Sequence, residues 1–413
     1  MIKSTLILFL AFVSISVFAQ PNESNLYVVS QDVGKPLTYK YLQLFPVYAN
    51  SSFQEANQHI GTYLSLQKAL KTGQVSISEV EVPSSQQIYD PFSNSMIVSQ
   101  ELTSYEQDLS GINASKTHRI ESNITEDEDE DSFSIFDNRI LHPEARANEA
   151  LASTSKLYIS NHSQDTIFLM AGEVLKGGRQ DRVIAKDMIV PPSSEKVHLP
   201  VFCAEKDRWY YRSKSNKDFD QYFAVSSLKV RKAVAESNDQ AAVWSAIEDI
   251  QLTNNIDSKT KAYSDLRASM GFNTEQEDYI SYFTKNFDAK MSATKGQNNQ
   301  NEKMVGVIVA TGGTIIGCDI FATHDLFVQQ YKSLLHSYTT DAITYGQELN
   351  TEAKPQVISI NQQQLNQYLE STLKLSDKGD LASTAGEELE ENDGESSLVN
   401  TGFEQKVHIS SFE

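Results

Sequence analysis

The sequence has little cysteine, few cations and no second long apolar run. Cys203 and Cys318 are its two cysteines. They permit one internal pairing, which excludes a disulfide framework and an all-cysteine zinc site. One bridge or two free thiols remain, and free thiols are favoured. Lysine and arginine number 35 against 55 acids, a formal net charge of −20. A chain so acidic repels nucleic acid and acidic membrane surfaces, and no nucleic-acid partner is expected. Beyond the leader no apolar stretch approaches the roughly 20 residues of a membrane span. The patterns Gly-x-x-x-x-Gly-Lys-Ser/Thr and Gly-x-Gly-x-x-Gly are absent, and no cofactor is expected. No repeat recurs at a fixed period.

The first 19 residues read as a signal peptide. Lys3 gives the positive start, Leu6 to Val17 the apolar core, and Val17 and Ala19 the small residues before a cut at Gln20. An exported protein, periplasmic or extracellular, is therefore expected. The remainder suggests one α+β domain over 25–375 and 396–412, a β-rich scaffold with antiparallel hairpins and several packed helices. Two acidic segments interrupt it. Residues 104–147, containing TEDEDED at 125–131, read as a flexible insertion, because a block of like charge repels itself. A calcium loop would need a glycine that this run lacks. Residues 376–395 read as a disordered acidic run.

Periodicity places the elements. YKYLQLFPVYA (39–49) predicts a strand that Pro46 should push to an edge or bulge. YLSLQKALK (63–71) has helical spacing and stops before Gly73, and QVSISEVEV alternates as a strand. LYISN and TIFLM, joined by four polar residues, predict a hairpin; VIAKDMIV (183–190) and EKVHLPVF (195–202) flank a Pro-Pro-Ser-Ser turn. Helices are predicted around 228–250, with Asn238 and Asp239 as possible caps between two of them, from a Thr274–Glu277 capping box, after Thr323 or Asp325, and after Asn361. MVGVIVA, Thr311-Gly312-Gly313 and TIIGCDIF form the strongest hairpin signal; QVISI (356–360) predicts a strand and KVHISSF half of a closing hairpin.

Several stretches invite chemistry. IVATGGTII (308–316) is similar to the nucleophile segment of asparaginases and glutaminases. Ile316 stands where those enzymes have a small residue, and their His-Gly-Thr-Asp-Thr motif is absent, so a Gly-Gly turn is the better account. His162, His198, His324, His336 and His408 lie among carboxylates but show no metal-ligand spacing, and no metal is expected. A Cys203 nucleophile would need a base, yet His198 lies five positions back, on the opposite face of a regular strand.

The densest charge is AGEVLKGGRQDRVIAKDMIVPPSSEKVHLPVFCAEKDRWYYR (171–212). Its polar cluster is Glu173, Arg179, Gln180, Arg182, Cys203, Glu205, Arg208 and Trp209. KGGRQDR could cradle an anion through its glycine backbone and arginines. Alternatively, Arg179 or Arg182 pairs structurally with Glu173 or Glu205. Both accounts stay open.

GEVLKGGRQDR, then VPP and VFCAEKDRW, resemble the ADP-ribosylglycohydrolase and rhodanese-phosphatase-associated protein family. The matching positions are Gly172, Glu173, Gly177, Gln180, Arg182, Cys203, Glu205, Arg208 and Trp209. The resemblance extends through VGVIVATGGTIIGCDIFATHDLF and VHISSF. Its name comes from gene neighbours, so it implies only a link to ADP-ribose or nucleotide metabolism. Two functions are therefore expected as alternatives. One is a non-catalytic binding or interaction module, with a small anionic ligand or a protein as partner. The other is a hydrolase-like enzyme on an anionic substrate, such as a nucleotide or ADP-ribose derivative, with Glu173 or Glu205 as base and Arg182 or Arg208 as anion clamp.

Overall fold

The computed structural model describes residues 25–60, 62–79, 87–90, 95–98, 156–208, 218–237, 239–293, 303–349, 359–377 and 407–413. The leader, the 104–147 insertion, Trp209 and most of the 376–395 run lie outside them. The architecture is α+β, with helices packed on mostly antiparallel sheets.

The first sheet runs β1 (Leu26–Tyr27), β3 (Leu42–Ala49), β15 (Lys303–Thr311), β16 (Thr314–Phe321), β17 (His408–Phe412), with β2 (Leu37–Tyr39) also on β3. β3 is buried along its whole length and β15 everywhere but Lys303, so apolar residues face both ways in each. The β15–β16 hairpin turns on Gly312 and Gly313, both at positive φ, as its sequence requires. β3 lies inside the sheet, but at Pro46 one of its sides is a local edge among the described residues, and the β15 register shifts just beyond, between Met304 and Gly306. β1 pairs with β3 only at Tyr48 and Ala49, and β2 only from Leu42 to Leu44. Pro46 sits in the gap between them, where its missing N–H interrupts no ladder.

The second sheet runs β14 (Gln221–Val225), β10 (Glu173–Lys176), β11 (Arg182–Ile184), β13 (Ser194–Cys203), β8 (Lys156–Asn161), β5 (Val75–Glu79). The third is β12 (Met188–Val190), β9 (Thr166–Leu169), β4 (Tyr63–Ser65), with β4 and β9 parallel. Among the described residues β6 (Gln87–Asp90) pairs with β7 (Ser95–Val98) alone.

One predicted hairpin fails here, and another holds only at its outer end, where Val183 and Ile184 pair with Phe202 and Val201; in both places the chain turns a corner between sheets. β8 and β9 are not a hairpin; Asn161 pins their connection, donating to the carbonyls of Asp165 and Pro191, both at 2.8 Å. The run 183–190 likewise splits, β11 into the second sheet and β12 into the third. At that split Asp187 accepts the Ala171 N–H at 2.7 Å. Residues 63–65 also pair as a strand before the predicted helix begins at Leu66.

The helices are α1 (Ser30–Gly34), α2 (Ser51–Asn57), α3 (Leu66–Lys71), α4 (Leu228–Ser237), α5 (Gln240–Thr253), α6 (Met270–Ala293), α7 (His324–Glu348) and α8 (Gln362–Asp377). Asp239 caps α5, Thr323 caps α7 and Asn361 caps α8 through side-chain oxygens. Asp341, on α7, caps α4 from a distance by accepting the Leu228 N–H at 2.7 Å. The Thr274–Glu277 pair is not a cap: α6 starts a turn earlier, and Asn273 N–H already bonds the Ser269 carbonyl. Tyr279, Phe283 and Phe287 form its buried face. The 356–358 part of the predicted QVISI strand lies outside the described residues; Ser359 and Ile360 belong to no element. β17 pairs with β16, and the other half of the predicted closing hairpin is also outside them. No helix among the described residues is long and apolar enough to cross a membrane.

Candidate functional site

The Lys176–Arg182 turn can approach the rest of the fold because it is built on glycine. A side chain on Gly177 would meet the Asp218 carbonyl at 2.3 Å, and one on Gly178 the Phe219 ring at 2.4 Å. β11 then places Arg182 opposite Cys203 of β13. Glu205 and Arg208 follow in the loop after β13.

Arg208 is the hub of this cluster. Its Nε donates to Glu205 at 2.8 Å and its Nη1 to the Gly178 carbonyl at 2.8 Å. Nη2 lies 2.7 Å from Glu205 and 3.3 Å from both Asp181 and the Gly177 carbonyl. Asp181 also accepts from the Ser264 hydroxyl at 2.7 Å, and Glu205 from the Asp181 N–H at 3.1 Å. Gln180 donates to the Glu205 carbonyl at 2.9 Å. Arg208 is 1 % exposed, and Asp181 and Glu205 are fully buried. Charges taken so far from water are tolerated only when paired and hydrogen-bonded, and these are paired with one another.

The other predicted residues divide. Arg182 donates to the Gln180 carbonyl at 2.8 Å and lies 3.6 Å from Glu79. Arg179 takes the same partner, with its N–H on Glu79 at 2.9 Å. Cys203 is held by its backbone: the Gln240 amide accepts its N–H at 2.7 Å and donates to its carbonyl at 2.8 Å. Neither cysteine is in a disulfide, and both are buried. Glu173 does not join the arginines. Its carboxylate accepts the Met170 N–H at 2.8 Å, and burial pushes its pKa up to about 8 in the field of Asp187 and His408.

Those last two residues belong to a second cluster that sequence reasoning missed. His408 of β17 sits between two carboxylates, Nδ1 at 2.7 Å from Asp187 and Nε2 at 3.0 Å from Asp319. Burial lowers its pKa, but Asp187 and then Asp319 outweigh this and raise it to about 9. The ring is therefore an imidazolium donating on both sides. Arg231 of α4 donates to Asp319 at 3.0 Å and 2.5 Å, and Tyr338 of α7 donates to it at 2.5 Å. Burial opposes charge on Asp319, yet Arg231 and His408 hold its carboxyl well below the usual range. Ser410 is 3.2 Å from His408 Nε2, a spacing that suggests a Ser-His-Asp relay. Its hydroxyl donates to Asp319 instead, and a doubly donating imidazolium has no lone pair with which to take a proton.

The sequence held two signals of this cluster. Asp319 interrupts the apolar run TIIGCDIF, and Arg231 occupies the buried stripe of α4 with Leu228 and Val234. The five candidate histidines do not converge. His162 meets Ser76, His198 packs on Tyr158, His324 meets the Met304 carbonyl, and His336 meets Arg267. Among the described residues no group of three or more His, Cys, Asp or Glu could hold a metal ion.

The model of the ARG and Rhodanese-Phosphatase-superfamily-associated Protein domain matches residues 123–412. The chain belongs to that family. All eight predicted polar positions, the second cluster and the Gly-Gly hairpin lie inside the matched region of the ARG and Rhodanese-Phosphatase-superfamily-associated Protein domain. β3 and β5 precede it, yet β3 sits inside the first sheet and β5 closes one edge of the second. No curated protein and no solved structure matches the chain.

Proposed function

We propose that this chain is an exported, non-catalytic binding or interaction protein whose Glu/Arg/Cys cluster ties its fold together. The observation that carries this reading is the state of Arg208. Its guanidinium is spent on Glu205, Asp181 and the carbonyls of Gly177 and Gly178, all inside the protein. An anion clamp needs donors facing a substrate, and a general base must reach the proton it takes. Glu205 faces Arg208, and Glu173 faces the other cluster. The hydrolase alternative would require both clusters to open. The family's name records an association with ARG and rhodanese-phosphatase proteins, which specifies no reaction.

Incubation of the purified protein with ADP-ribose derivatives and nucleotides should give no turnover above buffer. Turnover that disappears in Glu205→Gln, with the variant still folded, would overturn the non-catalytic reading. Export rests on the Lys3, Leu6–Val17 and Ala19 pattern. Expression of the whole chain in a bacterium should yield exported protein beginning at Gln20. Cytosolic protein with an uncut leader would contradict export.

A further inference from the structure

β17 is an edge strand that reaches its sheet from far along the chain. Among the described residues it pairs with β16 alone, and the nearest described residue before Val407 is Asp377. Its ladder runs from Phe321–His408 to Gly317–Phe412. The ladder is prolonged by the Ala322 N–H on the Val407 carbonyl at 2.9 Å and by the Glu413 N–H on the Ile316 carbonyl at 3.2 Å.

Different parts of the molecule read the two faces of this strand. On one face Ile409 is buried in the apolar cluster of Ile320, Leu369 and Leu373, and Ser411 meets Tyr368 and Thr372 of α8. On the other face His408 and Ser410 both reach Asp319 at 3.0 Å, and Arg231 donates to Ser410 at 2.9 Å. Phe412 lies under the Arg231 guanidinium, 5.2 Å from ring centre to carbon.

The surroundings of β17 therefore form a groove with a row of β16 backbone groups, an apolar side against α8 and a charged wall. Asp187 and Asp319 stand there against one guanidinium, Arg231, so the wall carries one net negative charge. A strand that fills it must bring a cation at the position of His408 and a small hydroxyl two residues later. This is recognition by strand addition, in which main-chain bonds supply affinity and alternate side chains supply specificity. None of these contacts depends on the covalent link to α8. Residues 378–406 make that link, and about 30 residues can span up to about 100 Å. An identical strand from another chain would make the same contacts.

We propose that the β16 edge is a strand-binding groove, filled in cis by β17 and able to accept the C-terminal strand of a second copy. This rests on the reading of the chain as an interaction protein and names its partner. The link holds the cis strand at an effective concentration on the order of mM, so a competing strand gains access once the link is cut.

The test uses the whole chain with a protease site inserted between Gly386 and Glu395, cut after folding. The probe is a fluorescent peptide of residues 403–413, standing for the second copy's strand. The cut protein should keep its C-terminal fragment through gel filtration. Unfolded in urea and refolded in excess peptide, it should regain the melting transition of the uncut protein, with label in place of the fragment. The same peptide carrying His408→Ala should compete about a hundredfold more weakly, because it leaves a buried carboxylate pair short of a cation. Refolded protein that carries only its own fragment would overturn the proposal. So would cut protein that fails to refold where uncut protein does, or equal competition by the His408→Ala peptide. Those outcomes leave the non-catalytic reading standing, whereas turnover of a nucleotide or ADP-ribose derivative would remove that reading and not the groove.

Discussion

The Arg208 cluster is assembled from residues 177–208, with Ser264 and Glu79 added from further away. The Asp319 cluster is assembled from five separate places: the β11–β12 corner, α4, β16, α7 and β17. The first fastens a glycine turn to the loop beyond a neighbouring strand. The second joins the first sheet to two helices and to the corner where the other two sheets meet, across separations such as the 221 positions between Asp187 and His408. Both are sealed and internally paired. They differ in how much of the chain must be in place before they form. The loop-closure entropy of a long-range knot is offset only by the complete fold, so damage to it is felt everywhere. Damage to the Arg208 cluster begins as local opening.

Arg231→Leu should therefore show the largest effect. It leaves Asp319 ionised and buried with His408 as its remaining charge partner, and breaking such a pair costs about 3–5 kcal/mol. Urea unfolding should show a lower midpoint by every probe at once. A change confined to one region would erase the contrast between the clusters.

Acidity sharpens the comparison next. His408 has its pKa raised from 6.5 to about 9. Its contribution is complete below pH 6.5 and is lost as pH rises through 9. Glu173, raised from 4.5 to about 8, acts in the same direction, because its neutral form suits the fold. Asp319 acts oppositely, since its depressed pKa contributes stability that is lost only in strong acid. Stability should fall by about 3–5 kcal/mol between pH 6.5 and 9, the larger share from His408. His408→Gln should flatten that slope, as read from unfolding curves at each pH; an unchanged slope would place the titration elsewhere.

Asp239→Ala gives the smallest effect and a baseline outside both clusters. The lost cap on α5, whose side chain accepts the Ala241 N–H, should cost about 1 kcal/mol. A loss as large as that of Arg231→Leu would mean that the clusters are not special.

The same contrast explains what the sequence made legible. The Arg208 cluster is local, so its charge density stood out in 171–212, and seven of its eight named positions can be placed. Glu173 was grouped with the arginines because sequence proximity cannot tell which way a strand residue faces at a corner. Asp187, Arg231 and Tyr338 lie on separate elements and become neighbours only through sheet order. The α+β class, the Gly312–Gly313 hairpin and the Asp239, Thr323 and Asn361 caps were readable because turns and caps are written within a few residues. The β8–β9 hairpin misled because a short polar connection reads alike whether the chain folds back or crosses to another sheet.

The Arg208 cluster serves the fold. A double-mutant cycle on Arg208→Met and Glu205→Gln, followed by equilibrium unfolding, tests it most directly. Each single variant should be destabilised, the double variant should lose less than the two losses together, and the coupling should be about 1–3 kcal/mol. Stabilisation by Arg208→Met, the sign expected of a charge kept for function at the expense of the fold, or a coupling near zero, would contradict it.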